Sequence, residues 1–138
     1  LIKSKKALLF LISFVVIGVA LIAAIYYSSD RRTLDEIIME DFSTYRAEFE
    51  ETVNYVLEND LREIDLANKN NLKEPLKTLS NLHYLSLHKD DGFIFISRYS
   101  SFGFEVGIVY SSTNKEPEGP YFSDVKVLDE NWFLFKSK

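Results

Sequence analysis

The 138-residue chain contains no cysteine, which excludes disulfide stapling and excludes lipid attachment through an amino-terminal cysteine. Histidine is nearly as scarce. His83 and His88 are the only two, and a hydrolytic site built on a histidine base has little to draw on. Five positions apart on one expected strand, they point to opposite faces and do not converge on a common atom. His83 reads as a partly buried structural residue sharing a face with Leu85 and Leu87. His88 with Asp90 and Asp91 offers one imidazole and two turn carboxylates, a thin ligand set for a transition metal. The five glycines are scattered, and none opens a helix as a phosphate-cradling loop requires. Carboxylates are plentiful over residues 35–65, but there they line a solvated helix face. These absences lead us to expect no catalytic centre, no cofactor and no resident metal.

What the chain does have is one long oily run. From Ala7 to Tyr27, ALLFLISFVVIGVALIAAIYY holds 21 residues without a charge. As a helix it would be roughly 32 Å long, close to the hydrocarbon thickness of a bilayer. A cleavable secretory signal is the competing reading, since Lys3, Lys5 and Lys6 precede the run. Signal cores are shorter, however, and the nearest small-x-small site, IAA at 22–24, begins with isoleucine. Tyr26 and Tyr27 then fall where interfacial aromatics belong, with Arg31 and Arg32 placed for lipid headgroups and Lys5 and Lys6 at the other end. The expectation is an uncleaved single-pass signal anchor in the cell membrane, amino terminus cytoplasmic and remaining chain extracytoplasmic; a secreted domain after cleavage is the alternative. Ala20 and Ala24 have small-xxx-small spacing, which leaves self-association through the helix open.

Beyond the run, residues 28–138 carry 13 basic and 21 acidic side chains, a net charge of −8. Such a surface repels nucleic-acid phosphate and anionic lipid, so nucleic acid is not an expected partner. Thr33 and Glu36 form a capping-box pattern. Apolar residues then recur at Leu34, Ile38, Phe42, Tyr45, Phe49, Val53 and Val56, one face of a single amphipathic helix running to about Leu57 or on to Leu66. Residues 68–82 read as a connection with a short helix capped by Asn71, with Pro75 in its first turn. Lys69, Lys73 and Lys77 make a basic stripe on it, opposite Leu72, Leu76 and Leu79.

From Leu82 the period changes to two. Strands are expected at 82–88, 93–100, 104–111, 121–128 and 132–137, with KDDG as a tight turn and STNKEPEGP as a surface loop. FIFI and WFLF are apolar on both faces, so such strands need cover on both sides. The amphipathic helix can supply one; the short helix, the long loop or another molecule must supply the other. The fold expected is α+β: a basic tail (1–6), a transmembrane helix (7–27), a juxtamembrane helical region (28–81), and an antiparallel sheet (82–138). The long helix would pack on a four- to five-stranded meander to form one domain.

Aromatics crowd the sheet region. Most belong in a core, but Tyr121, Phe122 and Trp132, beside the Pro/Gly loop, are candidates for an exposed interaction surface. GIVYSS (107–112), the polar NKEP loop and ENWFLF (130–135) resemble the ending of small uncharacterised membrane-anchored proteins of Gram-positive bacteria, over the last third of the chain. The resemblance implies a small bacterial membrane or envelope protein. Two roles follow as expectations: a membrane-anchored, non-catalytic protein-interaction module with an unidentified protein partner, or a structural subunit similar to pilins and pseudopilins, which share this architecture.

Overall fold

The computed structural model describes residues 4–28 and 32–138, in two compact units, Leu1–Arg32 and Thr33–Lys138. The first is a single helix, α1 (Lys5–Ser28), whose 24 residues bury none of their side chains. Its length, about 36 Å, and its composition suffice to cross a membrane. An apolar helix with no protein cover has its whole surface left for another apolar medium.

In the second unit Thr33 caps α2 (Leu34–Thr44), its hydroxyl accepting from the Glu36 N–H at 3.3 Å. The expected long helix is in fact two, because α3 (Arg46–Glu58) starts afresh after Tyr45, which has left the helical region at φ −114°, ψ 30°. Neither proline nor glycine marks the break. Tertiary contact sets it: Phe42 and Phe49, on either side, both pack on Trp132, with ring centroids 5.2 and 6.2 Å away. Arg46, just past the break, pairs with Asp129 at the sheet's end and with Glu50 at 2.9 Å.

The helix stops at Asn59 and Asp60 instead of continuing to Leu66, and a three-residue strand follows, β1 (Glu63–Asp65). The short helix α4 (Leu76–Asn81) is capped by Pro75, not Asn71, and buries Leu76, Leu79 and Ser80. Lys69 and Lys73 precede it, so only Lys77 of the lysine stripe is helical. The Ser80 hydroxyl donates to the Leu66 carbonyl at 2.6 Å, satisfying two groups in the interior. His83 is exposed, in a turn at φ +69°, and not on a strand.

Five more strands complete the sheet: β2 (Ser86–Asp90), β3 (Phe93–Ser101), β4 (Phe104–Ser111), β5 (Phe122–Asp129) and β6 (Trp132–Ser137). All neighbours are antiparallel, in the order β1-β2-β3-β4-β6-β5. The sheet thus has six strands among the described residues, and the last two depart from a meander: β6 lies between β4 and β5. Leaving β4 at one end of the sheet, the chain must return to the other end before β5 begins, and residues 112–121 make that journey. Asp91 and Gly92 turn β2 into β3 with both φ positive, the geometry whose twist matches a two-residue hairpin.

Alternation divides the side chains. Ile94, Ile96, Val106, Ile108, Trp132 and Leu134 face α2 and α3, in one core with Ile38, Phe42, Phe49, Val53 and Val56. Phe95, Val109, Phe133 and Phe135 face the other way and form a second cluster. At the first turn of α2, Asp35 pairs with Lys126 of β5 at 3.0 Å and Lys136 of β6 at 2.9 Å. Burial pushes its carboxyl up, but the two lysines outweigh that and hold it below the usual carboxylate range.

At Gly107 the β3 and β4 backbones come too close for any side chain: a Cβ there would lie 2.1 Å from the Ile96 carbonyl oxygen. Gly107→Ala is expected to cost about 1–3 kcal/mol through overpacking. Thermal unfolding of the full chain in detergent, followed by emission of the single tryptophan, should show a melting point several degrees below the parent's. An unchanged melting point would mean that the strands do not approach so closely.

Candidate aromatic and acidic cleft

The second face of the sheet is where a site forms. Seven apolar side chains on one side of four strands cannot be left to water, and α2 and α3 are occupied on the opposite face. The 112–121 segment crosses here, burying Pro117, but ten residues rich in Gly, Pro and charge do not cover the whole face. The gap is a cleft of about 470 Å³ walled by His88, Asp90, Phe95, Glu118, Tyr121 and Phe122, among others.

Its floor is a row of stacked rings. His88 lies on Phe95, centroids 4.8 Å apart and planes 13° from parallel, and Phe95 faces Phe122 at 6.0 Å and 12°. Phe135 supports both edge-on from beneath, at 5.2 and 6.2 Å. Cross-strand pairing enforces the first stack, because His88 and Phe95 are register partners in β2 and β3.

One wall is fixed by hydrogen bonds. Glu105 accepts from the Ser97 hydroxyl and, at 3.0 Å, from the Tyr121 phenol, while its own N–H donates to the Ser137 hydroxyl at 2.8 Å. A hydrogen bond with Ser137 pulls the Tyr121 phenol down, but burial and the Glu105 carboxylate outweigh it, and the phenol sits above its ordinary range as a standing donor. Asp90, Asp91 and Glu118, by contrast, enter no ion pair among the described residues. The cleft therefore combines ring faces with unneutralised carboxylates, the combination that attracts an ammonium or guanidinium group.

The expected interaction residues divide. Tyr121, half exposed, and Phe122 do stand together at the cleft, with rings 5.3 Å apart. Trp132 does not join them. It is 3% exposed on the helix-covered face, packed on Phe42, Phe49 and Tyr110, because its even-numbered place on β6 points it away from Phe133 and Phe135. Phe95, Glu105 and Glu118 were the residues not singled out. Glu105 carried a signal: it is the only charged residue in FEVGIVYS, a strand that is otherwise uncharged. His88, Asp90 and Asp91 meet at the cleft's rim, yet no group of three His, Cys, Asp or Glu among the described residues stands close enough to hold a metal ion.

At the expected membrane interface, Lys5 and Lys6 occupy the first turn of α1 and Tyr26 and Tyr27 its last, the two rings meeting edge-on at 5.9 Å. Arg32 is exposed, and Arg31 lies outside the described residues. No family model, curated protein or solved structure matches the chain.

The division between support and wall has an energetic consequence. Phe135→Ala, which empties a fully buried site, is expected to cost about 3–5 kcal/mol, whereas Phe122→Ala at the cleft's edge should cost less than half of that and leave the fold intact. Melting curves of the two variants in detergent check this; equal losses would place Phe122 in the core and close the cleft.

Proposed function

We propose that this is a single-pass membrane protein whose acidic α+β unit is a non-catalytic interaction module, binding a protein partner through a basic side chain seated in the aromatic cleft. The membrane part is supported by α1, whose oily surface is wholly uncovered and whose ends carry lysines and tyrosines where headgroups would lie. We place the amino terminus in the cytoplasm and the module outside, a reading that Lys3, Lys5 and Lys6 ahead of the span support. The binding part rests on one observation above others: the stacked floor of His88, Phe95 and Phe122 shares its cleft with Asp90, Asp91 and Glu118, which enter no ion pair among the described residues. A cleft of this volume accommodates one long side chain and its neighbours. Lysine or arginine from a partner would gain both ring faces and ion pairing with these carboxylates.

A photoreactive benzoylphenylalanine in place of Tyr121, in the full chain expressed in cells, tests the proposal against the same probe at Leu57 on the far side of α3. A discrete adduct is expected from position 121 and not from 57, and it should fall several-fold when Asp90 and Glu118 are both changed to lysine. Adducts from 121 no stronger than from 57, or indifferent to the charge reversal, would contradict the assignment.

A further inference from the structure

We infer that the tip of the β3–β4 hairpin enters the headgroup region of the membrane that holds α1, giving the folded unit a second, aromatic contact with lipid; the inference rests on reading α1 as an anchor. The hairpin turns at Phe102 and Gly103, at φ +50° and +78°. Glycine suits that conformation, and asparagine is the ordinary companion; a bulky phenylalanine in the left-handed region is an outlier. Phe102 is also 107% exposed, so neither its strain nor its apolar ring is compensated by any contact within the unit. Tyr99 and Phe104 flank it, 44% and 39% exposed and edge-on to each other at 6.1 Å. Three exposed rings at one hairpin tip form an apolar patch of the kind that marks a binding surface.

Its place in the fold says what covers it. Lys136, which holds Asp35 in the first turn of α2, is the register partner of Val106, and Val106 is that of Tyr99. The hairpin continues past this row for two more pairs, down to Ser101 and Phe104, after β6 has ended its pairing with β4. The aromatic tip and the start of α2 are thus at the same end of the sheet. Only four residues, 29–32, separate Ser28 from Thr33, a span of at most about 18 Å. The connection to α1 is therefore made at the end of the unit that bears Phe102, whatever the orientation of the two units. Charge agrees: the segment RYSSFGF, 98–104, holds one cation and no acid within a region of net charge −8, and the adjoining Glu105 is engaged by Ser97 and Tyr121. Phenylalanine and tyrosine beside an arginine suit the interfacial layer, where a ring meets apolar chains and a polar group meets water.

Phe102→Trp, in the full chain reconstituted into phosphatidylcholine vesicles, reads the contact directly, and full exposure of the site leaves folding undisturbed. The parent, whose sole tryptophan is the buried Trp132, supplies the baseline. Flotation of the vesicles reports the anchor separately. The variant should float, its added emission should be blue-shifted, and most of that emission should be lost when the acyl chains are brominated near the headgroup. Flotation with added emission that is red-shifted and unquenched would overturn the insertion and leave the anchor standing. Blue-shifted emission that bromine does not quench would place the tip against protein, a second copy included, and also overturn it. A chain that fails to float would overturn the anchor, and the insertion with it.

Discussion

The structure depends on a sheet whose central strands are apolar on both sides. β3, β4 and β6 carry Ile, Val, Leu and Trp toward one face and Phe with Val109 toward the other, and water is excluded from each only if something lies over it. The remaining elements arrange themselves as answers to that requirement. α2 and α3 break at Tyr45 so that phenylalanines from both can close on Trp132. The β4–β5 connection is forced end to end across the opposite face because β6 has taken the position between those strands. Helices make a complete cover, whereas ten residues of loop make a partial one. The cleft is what remains uncovered.

That origin explains the character of the site. A cleft left over in an apolar layer has rings for its floor, and its rim is drawn from turns and loop, where this acidic chain places Asp90, Asp91 and Glu118. Glu105 shows the alternative fate of a carboxylate in the same layer: its oxygens take hydroxyl donors and it becomes structural. At the hairpin tip the other face of the sheet outruns its cover: Tyr99 and Phe104 share the face of Val106, at and beyond the last β4–β6 pair, and stay exposed with Phe102.

Much of this was legible from residue order alone, and the failures have physical causes. The apolar run, the cap at Thr33, the two-sided strands and the strand limits of 104–111 and 132–137 follow from local pattern, because a period of two and a period of 3.6 are each dictated by backbone geometry. The helix break was not legible, since it is imposed by Trp132 and Asp129, more than eighty positions away. β1 is too short to show a period, and the exchange of β5 and β6 leaves no local trace, because an antiparallel strand reads alike at the edge and in the middle. Trp132 departs from expectation for a simpler reason: it is near the loop in sequence but not in space, and strand parity separates it from Phe133 and Phe135.

The central claim is that one face is sealed by helices and the other only lightly covered by the crossing segment. Hydrogen exchange of the full chain in lipid nanodiscs tests it most directly. Amides of 93–97, 106–110 and 132–136 should exchange slowest in the sheet, and residues 112–121 should exchange faster by orders of magnitude, since a loop that covers without pairing opens without unfolding the strands. Protection of 112–121 equal to that of the central strands would mean that the second face is sealed as firmly as the first, and the cleft would lose its physical basis.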